Sequence, residues 1–158
     1  MLELKNHEPN LSSTKGLGKI AEIGNEMSQD YRAIAECTKD YVRKSGFSEV
    51  LLGLSGGIDS ALVSILAVDA LGASKVTCVR LPSQFSSAGS LSDAEKLQKK
   101  LGCKIKTLPI TKPYEVIVDL LSQEFQGTQQ DLTEENIQSR IRGLLLMALS
   151  NKFGSMVL

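Results

Sequence analysis

Between Leu54 and Ala61 the chain reads Ser55-Gly56-Gly57-Ile58-Asp59-Ser60, which puts two hydroxyls, two glycines and one carboxylate into six residues. Glycines let a backbone turn with positive φ and let amide N–H groups approach a ligand with no Cβ in the way, so the chemistry suited to this pattern is anion binding. A helix starting near Asp59 or Ser60 would aim about half a positive charge at the same point. The plain structural alternative is a helix-capping turn with Ser55 or Asp59 as the cap. A second group lies far along the chain. In Glu134 to Gly154, Asn136, Arg140 and Gly143 line one edge of a helix at roughly 100° per residue, and Arg140 grouped with Asn136 suits an anionic ligand. Spacing alone leaves open a surface arginine paired with Glu134 or Glu135.

The elements that must position these residues follow from periodicity. Glu49 to Leu54 is an unbroken apolar run of the kind found in a parallel strand covered on both faces. Ser60 to Leu71 then predicts a helix with Leu62, Ile65, Leu66 and Ala70 on one face, closed by Gly72. Strand, loop and helix thus arrive in the order a phosphate site needs. Two other phosphate motifs fail on residues: no lysine stands between Lys44 and Lys75 to complete a Gly-Lys-Ser/Thr loop, and Gly53, Gly56 and Gly57 are wrongly spaced for Gly-x-Gly-x-x-Gly.

The rest of the chain alternates. A helix from Ser28, a candidate cap, to near Gly46 carries Tyr31, Ile34, Thr38, Tyr41 and Val42 as its apolar stripe. Lys75 to Leu81 predicts a second strand ending at Pro82. Ser92 and Glu95 have capping-box spacing for a following helix. Lys104 to Ile110 predicts a third strand, Pro113 to Phe125 a helix, and Thr133 to about Lys152 a long helix. In that helix Ile137, Ile141, Leu144, Leu145 and Ala148 share the core face while Arg142 points away. Gly154 stops it before a fourth strand at Ser155. The fold class is therefore α/β, an open doubly wound parallel sheet with helices on both faces, and its ligands bind at the carboxyl ends of the strands.

Composition bounds the function. The chain's 158 residues, 42% apolar and 23% charged, suffice for one globular domain, with residues 1–27 reading as a tail or linker and 28–158 as the domain. Eighteen basic residues balance eighteen acidic ones, so no overall field selects nucleic acid or an acidic membrane. Cys37, Cys78 and Cys103 lack metal or disulfide spacing, which points to reduced thiols and a cytoplasmic location. No signal peptide or membrane-length apolar run is present. The single histidine, His7, lies in the polar tail and is a poor candidate for a catalytic base.

Ser-Gly-Gly-x-Asp-Ser resembles the pyrophosphate loop of the ATP pyrophosphatase superfamily, whose fold is adenine nucleotide alpha hydrolase-like. With Pro82-Ser-Gln-Phe-Ser-Ser87 and Glu135-Asn-Ile-Gln-Ser-Arg-Ile-Arg-Gly143, the chain from about Tyr31 to Leu158 resembles the synthetase domain of NAD synthetases, particularly the glutamine-dependent branch. The resemblance implies adenylation of deamido-NAD by ATP with release of pyrophosphate, then displacement of AMP by ammonia, in a homodimer. It implies an ATP site at Gly53, Leu54, Ser55, Gly56, Gly57, Ile58, Asp59, Ser60, Arg80 and Leu81, with Ser55 and Asp59 closest to the chemistry. It further implies Mg²⁺ on Asp59 and deamido-NAD contacts at Asn136 and Arg140. For Arg80 the alternative is a strand-end surface arginine. The family domain carries a second acidic metal ligand past Ser155 to Leu158, and the branch has an upstream glutaminase domain. The expectation is a C-terminally shortened chain that keeps the nucleotide loop but lacks synthetase activity. Competing expectations are another ligase of this superfamily, such as a GMP synthetase or a tRNA-modifying enzyme, and a non-catalytic nucleotide-binding or dimerising module.

Overall fold

A computed structural model describes residues 24–84, 94, 96, 97 and 99–158. The predicted capping box at Ser92 and Glu95 lies outside these residues.

Helix α1, Glu26–Lys44, starts earlier than the sequence suggests because Asn25, not Ser28, is its cap: the Asn25 side chain accepts the Ser28 amide at 3.0 Å. Its inward positions are Ser28, Tyr31, Ala35, Thr38 and Val42, whereas Ile34 and Tyr41 face outward. Strand β1, Val50–Gly53, leads through the glycine loop into helix α2, Ile58–Leu71. Helix α2 is apolar nearly all round, so its sequence gives no reliable phase. The face it buries carries Ser64 and Ala67, with Val68 and Leu71 packed beside them, while Leu62 is 53% exposed. The Tyr31 hydroxyl donates to Asp69 at 2.6 Å and fastens α1 to α2; that bond pushes the Tyr31 pKa up.

After a short 3₁₀ turn, Ala73–Lys75, come strand β2, Val76–Arg80, helical residues within 94–101, and strand β3, Lys104–Thr107. Strand β3 is shorter than the Lys104 to Ile110 run predicted. The chain nonetheless stays bonded to the end of β2, since the Leu108 amide donates to the Arg80 carbonyl and the Ile110 amide to the Pro82 carbonyl. Pro109, between them, has no N–H to offer a regular ladder. Helix α3, Thr111–Leu120, takes Pro113 within its first turn, where an unbonded amide is normal. It ends five residues before Phe125, in turns.

Helix α4, Leu132–Phe153, has a full capping box: Asp131 accepts the Thr133 amide, and Glu134 accepts the Asp131 amide. Asp131 therefore takes the capping place predicted for Thr133, and its hydrogen bonds with Thr133 hold its carboxyl below the usual range. Gly154, at φ 64°, ends the helix in the left-handed region, as its type predicts. Strand β4, Met156–Val157, follows.

All pairings in the four-stranded sheet are parallel, in the order β3-β2-β1-β4. Alternate side chains feed two cores. Val50, Leu52, Val76 and Cys78 meet Val42, Ala67, Ala94 and Cys103 on one face. Val79 and Leu81 meet Ile110, Tyr114 and Ile141 on the other. This is the doubly wound arrangement expected.

Candidate functional site

The β1 ladder reaches one residue past the strand, with the Leu54 amide donating to the Val79 carbonyl at 2.9 Å. Then the chain leaves the sheet. Gly56 turns it at φ 87°, a conformation that L side chains rarely adopt. Hydroxyls hold the resulting loop. Ser55 Oγ lies 3.0 Å from Ser60 Oγ and accepts the Gly57 amide at 3.2 Å; Ser60 Oγ donates to the Gly57 carbonyl and accepts the Ser55 amide. Behind them, Ser64 Oγ donates to the Ser60 carbonyl at 2.6 Å.

Gly57 is the N-cap of α2 and supplies no side-chain cap. Neither Ser55 nor Asp59 caps the helix, so the plain capping-turn reading does not describe this loop. The amides of Ile58, Asp59 and Ser60 are first-turn donors without an intrahelical acceptor, and the first return bond is Ala61 to Gly57. Asp59 is exposed in that first turn. The loop thus offers a fixed set of donors, the positive end of a 14-residue helix and one carboxylate beside it.

Beside the loop stands the end of β2, the strand paired with β1. Arg80 lies on the β3 side, its Nε and Nη2 donating to Thr107 Oγ1 at 3.1 and 3.0 Å, with the glycine loop on the opposite, β1 side of that strand. Leu81 is buried, and its carbonyl accepts Arg142 Nε at 3.3 Å. Arg142 therefore points inward, correcting its placement away from the core. The buried arc of α4 is turned by about 60° from the predicted one. It is built from Gln138, Ile141, Leu145 and Leu149, with Leu144 68% exposed and Ala148 exposed. Burial lowers the pKa of the Arg142 guanidinium. Sequence reasoning missed Gln138 and Arg142 because hydropathy does not mark a buried polar residue; their spacing of four was the available signal.

With Ser83, Tyr114, Gln130, Asp131, Glu134 and Glu135, these two residues line a cavity of about 740 Å³. Asn136 and Arg140 lie outside it, exposed on the outer arc of α4 with Gly143, Leu144 and Met147. Arg140 donates to the Asn136 carbonyl and makes no ion pair with Glu134 or Glu135 among the described residues. The structure therefore keeps the glycine loop and Leu81 at the strand ends and puts the Asn136–Arg140 pair on a separate, apolar-flanked strip.

Among the described residues no group of three or more His, Cys, Asp or Glu side chains gathers to hold a metal, and no helix is long and apolar enough to cross a membrane. None of the three cysteines is in a disulfide: Cys37 is exposed, and Cys78 and Cys103 are buried with their sulfurs 3.4 Å apart.

Residues 30–158 match the family model described as NAD synthase. A glutamine-dependent NAD(+) synthetase of Rhodobacter capsulatus is 56% identical over 133 residues, which are 84% of this chain and 24% of that protein. A solved glutamine-dependent NAD+ synthetase of Acinetobacter baumannii, in complex with ADP, superposes with a TM-score of 0.85 at 41% identity, covering 89% of this chain and 27% of that one. An NH3-dependent NAD synthetase of Campylobacter jejuni superposes with a TM-score of 0.75 at 28% identity, covering 85% and 56%. The chain spans about a quarter of the length of the curated relatives it matches.

Proposed function

This chain belongs to the NAD synthase family, and on that premise we propose that it forms the nucleotide-binding part of an enzyme that amidates deamido-NAD to NAD. The observation that carries the reading is the donor set at the end of β1: free first-turn amides behind a glycine N-cap, fixed by the Ser55 and Ser60 hydroxyls. Such donors stabilise charge that builds on a leaving pyrophosphate without reorganising during the reaction.

In the proposed sequence, the carboxylate of deamido-NAD attacks the α-phosphorus of ATP, the α–β phosphoanhydride breaks, and pyrophosphate leaves with the bonding electrons. Ammonia then attacks the acyl carbon of the adenylate, AMP departs with the former carboxyl oxygen, and one proton is lost to give the amide. Within the loop from Ser55 to Ser60 the unbonded amides of Gly56, Ile58, Asp59 and Ser60 hold the phosphates, Gly53 and Leu54 complete the ATP site at the end of β1, and the β2 end at Arg80 and Leu81 borders the adenine. Asp59 is an exposed carboxylate beside that anion site, a donor set that suits Mg²⁺, which takes one or two carboxylates together with phosphate oxygens. When bound there, the ion would offset charge between the carboxylate and the polyphosphate.

Asn136 and Arg140 are assigned to deamido-NAD. Their exposed strip also carries Leu144 and Met147, which supports a homodimer with the substrate lying against the seam. The synthetase domain is assigned to residues 28–158 extended back to Asn25, the cap of α1, and the residues before it to a tail or linker. Ammonia is drawn from glutamine by a glutaminase domain of the parent polypeptide, a reading supported by the relative from R. capsulatus. Cysteines outside any disulfide accord with a cytoplasmic setting.

The test uses the parent polypeptide with ATP, Mg²⁺, ammonia and deamido-NAD labelled with ¹⁸O in its carboxylate. NAD and AMP should form in equal amounts, and AMP should carry one labelled oxygen. Release of ADP and phosphate, or unlabelled AMP, would refute the adenylate route.

A further inference from the structure

The turn that opens the glycine loop creates a deficit elsewhere. In the β1–β2 ladder Gly53 pairs with Val79, and the Leu54 amide takes the Val79 carbonyl. Had β1 continued, the next amide on that edge, two residues on, would have been that of Gly56, and its acceptor would have been the Leu81 carbonyl. Gly56 instead turns at φ 87°, and its amide makes no hydrogen bond among the described residues. One amide is thereby freed for a ligand, and one carbonyl on a residue only 8% exposed is left needing a donor.

Arg142 supplies that donor from a different element, 61 residues along the chain. The carbonyls flanking Leu81 are held from the other side, Arg80 by the Leu108 amide and Pro82 by the Ile110 amide at 2.8 Å. The segment from Arg80 to Pro82 is therefore fastened on both edges, to the β3 extension by backbone and to α4 by one guanidinium. Arg142 is half-buried and has no carboxylate ion pair among the described residues, although Glu134 and Glu135 line the same cavity. Among the described residues its hydrogen bond is the one to Leu81.

We propose that Arg142 is a positioning residue for the nucleotide: it stands in for the missing strand neighbour and holds the Leu81–Ser83 backbone as the base-side wall, while the Gly56 amide stays free for phosphate. The proposal rests on the nucleotide reading of the Ser55–Ser60 loop. It separates two parts of one ligand, because the base meets the wall that Arg142 holds and the phosphates meet the loop that the hydroxyls hold.

The experiment compares ATP with inorganic tripolyphosphate, both with Mg²⁺, by calorimetry on the full chain as wild type, Arg142→Met and Arg142→Lys. Methionine keeps much of the length and loses every donor; lysine keeps charge and a donor but not the planar fork. Arg142→Met should weaken ATP binding roughly tenfold and leave tripolyphosphate within about twofold of wild type, with Arg142→Lys between the two for ATP. Unchanged ATP affinity in Arg142→Met, or equal losses for both ligands, would overturn the proposal, since a purely structural role moves both together. If circular dichroism shows Arg142→Met unfolded, Arg142→Lys carries the same comparison, a selective loss of ATP affinity supporting the proposal and parallel losses or none overturning it. Failure of the wild-type chain to bind either ligand would overturn the nucleotide reading, and this proposal with it.

Discussion

Replacing Asp59 with asparagine is expected to weaken ATP binding in the presence of magnesium and to strengthen it when magnesium is chelated. Asp59 is exposed in the first turn of α2, beside the free amides of the loop. Without ligand its carboxylate gains about 0.3–1 kcal/mol from the helix terminus, so the substitution should lower thermal stability by no more than that. Polyphosphate changes the balance. At about 5 Å, with an effective dielectric of about 20–80, each unit of phosphate charge opposes the carboxylate by roughly 1–3 kcal/mol. A divalent cation shared by the two reverses that sign. In chelator, Asp59→Asn should therefore bind ATP about tenfold more tightly than wild type, since roughly 1.4 kcal/mol is a factor of ten. In magnesium the gain that wild type shows on adding the ion should shrink by a similar factor. Calorimetry at low ionic strength, where screening is weakest, measures all four affinities. Equal magnesium enhancement in both proteins, or weaker metal-free binding by the variant, would refute the assignment of Asp59 as the metal-facing carboxylate.

The two loop glycines should respond differently to alanine. Gly56 sits at φ 87°, where a Cβ costs roughly 1–2 kcal/mol, whereas Gly57, at φ −81° and ψ 162°, occupies a region open to any residue, and a Cβ there would lie 3.4 Å from Ser55 Oγ. Urea denaturation should show the loss for Gly56→Ala and a change within about 0.5 kcal/mol for Gly57→Ala; the reverse order would contradict the loop geometry. The cysteines give a pH test. Burial, then the hydrogen bond with Cys103, pushes the Cys78 thiol up to about 12 from 9.0, so the folded state retains a proton that the unfolded state loses first. Stability should be insensitive to this group below about pH 9 and fall as pH rises toward 12, by up to about 1.4 kcal/mol per unit. Iodoacetamide at pH 8 should label Cys37 alone in the native chain and all three cysteines in denaturant; native labelling of Cys78 would contradict its burial.

The order of elements was legible because each boundary has a local cause: Gly154 for the end of α4, the apolar run for β1, the glycines for the loop between β1 and α2. Helix phase was less legible. In α2 the apolar residues surround the axis, and contact with the sheet selects Ser64 and Ala67, small residues that allow close approach, over Leu62. In α4 the buried arc admits Gln138 and Arg142 because the strand ends supply polar partners and a cavity, facts of tertiary structure that no hydropathy pattern contains. Asn136 and Arg140 were correctly placed on one edge by spacing. Their exposure is the new information, since it separates them from the cavity and joins them to Leu144 and Met147.

A site that binds phosphate through backbone amides has to be ordered before the ligand arrives while leaving its donors unbonded, and those demands conflict in most turns. Here different groups meet them. Order comes from the Ser55 and Ser60 hydroxyls, which consume the Ser55 and Gly57 amides and the Gly57 carbonyl, and from Ser64, which ties the Ser60 carbonyl to the buried face of α2. Availability comes from the first turn of the same helix, where geometry leaves three amides without acceptors and exposure lets water solvate them at little cost. The glycine at the N-cap matters for what it omits: serine or aspartate there would direct its own oxygen at those amides and compete with the ligand. The departure of β1 from the sheet then leaves the Leu81 carbonyl as the remaining unpaired group, and a donor reaching in from α4 is what allows the strand end and the loop to keep their separate tasks.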